Sequence, residues 1–132
     1  MTQAEQEWID VALTALDKAY VPYSHFPVGA CLVTADDKIY QGVNIENASY
    51  GLSNCAERTA IFKAVSDGQR HFKHLVVAGH TSDPISPCGA CRQVMAEFFA
   101  ADMPVTLIGD NGVIKEMTVA ELLPYSFSDR DL

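Results

Sequence analysis

Apolar positions near the start of the chain recur at helical spacing. Trp8, Val11, Ala12, Ala15, Leu16 and Ala19 share one face, and Thr2 with Glu5 forms a capping-box pattern ahead of them. A helix is therefore predicted through about Ala19, ended by Pro22. After a loop from Tyr23 to Pro27 the period changes. Val28 to Thr34 and Ile39 to Ile45 read as strands around Ala35-Asp36-Asp37-Lys38, a connection short enough for an antiparallel hairpin. A second helix is predicted from about Cys55 to Asp67, with Ile61 and Val65 a turn apart and Gly68 as its C-cap. Leu75 to Gly79 is a short apolar strand. A third helix spans about Cys88 to Ala100, with Val94, Met95, Phe98 and Phe99 toward the core. Val105 to Ile108 and Val113 to Met117 pair around the tight-turn signal Gly109-Asp110-Asn111-Gly112. Thr118 and Glu121 open a last short helix, stopped by Pro124.

The order α-β-β-α-β-α-β-β-α contains two crossover helices. It predicts an α/β fold: a three-layer α/β/α sandwich on one mixed five-stranded sheet, with parallel middle strands and helices on both faces. Ligands in such sheets bind beyond the strand ends, near the N-termini of the crossover helices. Both of those N-termini carry a cysteine, which turns the fold into a site hypothesis.

Length and charge narrow the field. The 132 residues support a single domain, 1–132, with no internal repeat or low-complexity linker. A formal net charge of −8 repels phosphate backbones, and no Gly-rich phosphate loop is present, so a polynucleotide partner is not expected. No apolar run approaches a membrane span, and the polar, acidic first ten residues lack the build of a secretory signal. The expected compartment is the cytoplasm, where the four cysteines are ligands or buried thiols rather than disulfides.

The chemistry concentrates in Asn54-Cys55-Ala56-Glu57-Arg58 and Pro87-Cys88-Gly89-Ala90-Cys91-Arg92-Gln93. Cys88 and Cys91, three positions apart at a helix start, project to one side with the usual spacing of two thiolates on one zinc. Cys55 supplies a third sulfur if the two helix starts lie side by side. Three ligands leave a tetrahedral ion one open position, the mark of a catalytic site. The bland alternative is a closed four-cysteine structural site that uses Cys31. That residue sits inside a predicted strand among Val28, Ala30, Leu32 and Val33, which fits a buried thiol better. Glu57, two residues from a ligand, shares the pocket as a proton carrier or else merely caps the helix with Asn54. Arg58 is read as a donor to the thiolates, offsetting their charge, against the plainer reading of a solvated arginine.

On these residues the chain resembles the small, homotetrameric cytidine deaminases: Cys-Ala-Glu-Arg, then Pro-Cys-Gly-Ala-Cys-Arg-Gln with its first cysteine 33 positions further on. The zinc-deaminase signature has a Pro-Cys-x-x-Cys segment and a glutamate that is not a ligand; its first motif often has histidine where this chain has Cys55. The similarity runs from Tyr23 to Phe127. It implies one Zn²⁺ per subunit on Cys55, Cys88 and Cys91, and Glu57 as the proton shuttle. It implies Asn44 and Glu46 on the ribose 3′-hydroxyl and Phe26 stacked on the pyrimidine. The Ala56 N–H would meet the base carbonyl and the Ser86 carbonyl the amine, while Tyr50 and Phe127 line a site completed by neighbouring subunits. The implied reaction converts cytidine and 2′-deoxycytidine to the uracil nucleosides and ammonia, in pyrimidine salvage. No role falls to Arg92, and none of the four histidines is needed as a ligand.

Three rivals remain. A tRNA adenosine deaminase fits less well, because its last strands run parallel where a hairpin is predicted here. A blasticidin-type deaminase is close in length and motif but lacks the Asn44/Glu46 pair. A non-catalytic, zinc-stabilised interaction module would need a closed site and no use for Glu57.

Overall fold

A computed structural model describes all residues, 1–132. Helix α1 (Gln3–Ala15) opens with the anticipated capping box: Glu5 N donates to Thr2 Oγ1 at 3.1 Å and Thr2 N to Glu5 Oε2 at 2.9 Å. The regular helix ends earlier than the apolar stripe suggests, and Leu16–Lys18 tighten into one 3-10 turn. Strands β1 (Val28–Thr34) and β2 (Ile39–Val43) form the antiparallel hairpin, with Leu32 opposite Tyr40. Strand β2 stops at Val43, two residues short of the predicted end, and Ile45 makes isolated bridges to Tyr20 and Asn54 instead.

The crossover helices are α2 (Ala56–Ser66) and α3 (Gly89–Phe98). Gly68, at φ 92°, lets α2 finish in a Schellman arrangement. Gln69 N reaches Ala64 O and Gly68 N reaches Val65 O. Strand β3 (Phe72–Gly79) begins three residues before its apolar stretch. It is followed across α3 by β4 (Pro104–Ile108), then β5 (Ile114–Thr118) and the short helix α4 (Val119–Leu122), which carries a second capping box from Thr118 and Glu121. The β4–β5 turn places Asn111 and Gly112 in the left-handed region.

The sheet order is β2-β1-β3-β4-β5. Only β3 and β4 pair in parallel; β1 runs antiparallel to both of its neighbours. Because β2 and β3 flank β1 and point the same way, α2 and α3 both begin at one edge of the sheet. Alternation along the strands divides the core. Ala30, Leu32, Leu75, Val77, Val105 and Leu107 face the α2, α3 and α4 layer. Cys31, Val33, Val76, Ala78 and Ile108 face α1 with Ile9 and Ala12. Glycine permits a close approach of α2 to the sheet: a Cβ on Gly42 of β2 would lie 2.3 Å from Ala56 O in the first turn of α2.

Candidate metal centre and substrate cleft

The start of each crossover helix supplies part of the site. Cys55 is the N-cap of α2 and Cys88 the N-cap of α3, both with extended backbone, while Cys91 lies in the first turn of α3. Their sulfurs lie within 4.8 Å of one another, and the Cys55 and Cys88 sulfurs are 3.8 Å apart. Sulfurs at about 2.3 Å from a tetrahedral zinc are themselves about 3.8 Å apart, the spacing at which the Cys55 and Cys88 sulfurs already stand, with the Cys91 sulfur close enough to complete the donor set. Cys31 takes no part: it is wholly buried on the α1 side of the sheet, where burial pushes its thiol up to about 12. That geometry removes the four-cysteine alternative and leaves three sulfurs.

Positive character surrounds the sulfurs. Two helix N-termini converge on them, and Arg58 Nη2 donates to Cys55 Sγ at 3.3 Å. The Cys55 thiol is pulled down to about 5, first by a hydrogen bond from Cys91 and next by Arg58, so an ionised sulfur is available to a metal near neutral pH. Glu57, in the first turn of α2, is only 4 % exposed, and burial pushes its carboxyl up to about 6. It does not cap the helix with Asn54. The N-cap is Cys55, and the Asn54 amide donates to Thr59 Oγ1 instead.

A cleft of about 370 Å³ opens beside these groups, lined by Phe26, Val28, Asn44, Cys55, Glu57, Thr81, Ile85, Ser86 and Cys88. Of the residues singled out from the sequence, it gathers Phe26, Asn44, Cys55, Glu57, Ser86 and Cys88 on one wall-to-wall surface. Ala56 is buried as the first residue of α2, so its N–H is among the donors that the helix itself leaves free. Asn44 is already engaged: its Oδ1 accepts from Val28 N and its Nδ2 donates to Phe26 O, each at 2.8 Å. It therefore braces the Phe26-Pro27-Val28 stretch, and each amide atom retains one hydrogen-bonding position.

Glu46 and Tyr50 line a separate depression of about 310 Å³ with Tyr23, Ser24 and Ser53. There Glu46 Oε1 accepts from the Tyr23 and Ser24 amides, both at 3.1 Å. Hydrogen bonding, from the Ser24 side chain foremost, holds its carboxyl below the usual range. Phe127 lines neither cavity; it lies in the C-terminal segment, 60 % exposed, with its carbonyl held by Gln93 Nε2 at 3.0 Å. Within this chain, then, Glu46, Tyr50 and Phe127 stand apart from the metal-side cleft.

Sequence reasoning passed over Val28, Thr81 and Ile85 as cleft walls. The last two lie on the eight residues that run from the end of β3 to Cys88, and so short a link has to border a site at the start of α3. No lysine, arginine or histidine lines the cleft, and no helix of the chain is long and apolar enough to cross a membrane.

Comparison with known proteins places this geometry in a family. The chain is 61 % identical over 118 residues to the cytidine deaminase of Sporosarcina psychrophila, covering 89 % of this chain and 87 % of that protein. It is 54 % identical to the cytidine deaminase of Halalkalibacterium halodurans, covering 96 % of each. Among solved structures, cytidine deaminase from Burkholderia pseudomallei superposes with a TM-score of 0.91 at 49 % identity, covering 96 % of this chain and 100 % of that one. Residues 2–107 match the cytidine and deoxycytidylate deaminase zinc-binding region, and the chain belongs to that family.

Proposed function

We propose that this protein is a zinc-dependent cytidine deaminase that releases ammonia from the free nucleoside. The observation that carries the reading is the meeting of three cysteine sulfurs with a buried carboxyl, Glu57, beside a cleft that no lysine, arginine or histidine lines. The near relatives are named cytidine deaminases, which ranks this reading above a blasticidin-type activity. An exposed mouth and a three-sulfur donor set argue against a closed structural site.

Cys55, Cys88 and Cys91 would hold the zinc. When bound, the ion supplies Lewis acidity that makes water a competent nucleophile at neutral pH. The chain's own residues supply the rest. Glu57 accepts one proton from the attacking water and passes it to the ring N3, then takes the second proton from the same oxygen as it becomes the new carbonyl and delivers it to the amine as the C4–N bond breaks; a carboxyl whose affinity for protons is raised by burial is suited to that exchange. The Ala56 N–H orients the base carbonyl and the Ser86 carbonyl accepts from the amine. Phe26, held in place through Asn44, offers a face to the pyrimidine.

The remaining valences of Asn44 would bind the ribose, with Glu46 on the 3′-hydroxyl. A 5′-phosphate would find no cation in the cleft, which favours cytidine and 2′-deoxycytidine over their monophosphates and suits a cytoplasmic salvage enzyme. Tyr50, Leu52 and Phe127 are 75 %, 71 % and 60 % exposed. Large apolar side chains left bare in this way support a homotetramer in which neighbouring copies complete the site.

The test is direct. Zinc-loaded protein should convert cytidine to uridine with stoichiometric ammonia and leave cytidine 5′-monophosphate untouched. Absence of turnover on cytidine with one zinc bound per chain would overturn the reading. Sedimentation should show a tetramer; a monomer with full activity would remove the shared-site proposal.

A further inference from the structure

Arg92 belongs to the second cysteine motif, yet neither metal binding nor proton transfer gives it work. It follows Cys91 on α3, half-buried, and its three nitrogens reach three different acceptors. Nε donates to Pro87 O at 2.8 Å, Nη2 to Ser86 Oγ at 2.7 Å, and Nη1 to Leu122 O at 2.7 Å. The first two acceptors flank the peptide bond between Ser86 and Pro87, immediately ahead of Cys88. The third is a terminal carbonyl of α4, which the helix itself cannot satisfy.

That peptide bond is unusual in what it lacks. Pro87 has no N–H, so the bond carries no donor through which the backbone could anchor it. The Ser86 carbonyl enters no backbone hydrogen bond of the chain. Its direction therefore has to be set from outside, and Ser86 lines the cleft with Glu57 and Cys88. A planar guanidinium with fixed donor directions satisfies three acceptors together in only one relative arrangement, which a lysine ammonium does not impose.

We infer that Arg92 is a positioning residue for the reaction: by gripping Ser86 Oγ and Pro87 O on either side, and bracing on Leu122 O, it aims the Ser86 carbonyl at the departing amine. Arg92 touches neither substrate nor sulfur. The inference rests on the deaminase reading above, and on the Ser86 carbonyl being the group that meets the amine.

The experiment compares cytidine with a ligand that has no amine to aim at. In 2-pyrimidinone riboside a hydrogen replaces the exocyclic amine. Zinc-loaded Arg92→Gln should keep one zinc per chain and bind this riboside as the unsubstituted protein does, while kcat on cytidine falls by roughly ten- to a hundredfold with little change in KM. Arg92→Lys, which keeps the charge and loses the fork, should fall nearly as far. Ser86→Ala should cost less, and combining it with Arg92→Gln should add little, since both act on one peptide plane. If Arg92→Gln does not fold, Arg92→Lys carries the same comparison. An unchanged kcat, or an equal loss of affinity for the amine-free riboside, would overturn the inference. Inability of the unsubstituted protein to turn over cytidine would instead overturn the functional reading beneath it.

Discussion

Arg58 lies one helical turn after Cys55 on α2 and donates to its sulfur from 3.3 Å, while the Nε of the same guanidinium is buried with no hydrogen-bond partner. An unpaired buried donor costs on the order of 1–3 kcal/mol. It is tolerable where the rest of the group meets concentrated negative charge. Three thiolates on a dication leave a net negative centre, and an arginine against one of them restores balance at the edge of the cleft.

Arg58→Gln should therefore fold and retain one zinc per chain, with turnover reduced about ten- to a hundredfold, the usual cost of losing a partner that supports a metal ligand. Zinc content and steady-state kinetics check it together. Wild-type turnover would reduce Arg58 to a bystander.

Glu57→Ala should keep its zinc, because the side chain is not a sulfur donor, and lose at least ~10² of kcat. Removing a carboxylate from a site that is 4 % exposed should also leave the melting temperature unchanged or higher, since burial disfavours its charged form. Less than a tenfold loss of rate would show that Glu57 does not carry the proton.

Metal removal separates a catalytic ion from a structural one. The nineteen-residue and seven-residue clusters that form the core draw on both sheet faces; of the three site cysteines Cys91 belongs to the larger, Cys55 packs against it, and Cys88 is exposed. Chelation should abolish turnover and leave the far-ultraviolet circular dichroism intact, with activity restored by added zinc; collapse of the spectrum would contradict this. Cys31→Ala should keep the full zinc complement and activity, because Cys31 faces α1 across the sheet.

Gly42 tests how tightly the sheet sets the helix that carries Cys55. A Cβ there would lie 2.3 Å from Ala56 O and 2.7 Å from Ala60 N, both backbone atoms that cannot swing aside. Gly42→Ala should cost about 1–3 kcal/mol of stability and, by shifting the first turn of α2, weaken zinc binding. Thermal melts and a competitive zinc titration read the two effects. Unchanged affinity would show that Cys55 is placed independently of β2.

Much of the architecture was legible because it is local. The capping boxes of Thr2 and Glu5, and of Thr118 and Glu121, are relations between residues three apart. The Gly68 C-cap, the β1–β2 hairpin and the Cys88–Cys91 spacing are equally short-range, and so is the alternation that sends Cys31 and Leu32 to opposite faces. These patterns determined the elements, their order and the type of metal donor, since backbone hydrogen bonding and side-chain periodicity act within a few residues.

What lay beyond them needed the path of the chain. That Cys55 meets Cys88 follows from β2 and β3 running the same way on either side of β1, which brings two helix starts to one edge. Asn44 bracing Phe26, Glu46 turning to the Tyr23–Ser24 amides, and Arg92 joining Ser86, Pro87 and Leu122 are contacts between side chains and backbone groups up to 30 residues apart. No periodicity encodes such pairs: a side chain's partners there depend on how separate elements pack, and only the assembled sheet with its helices decided them.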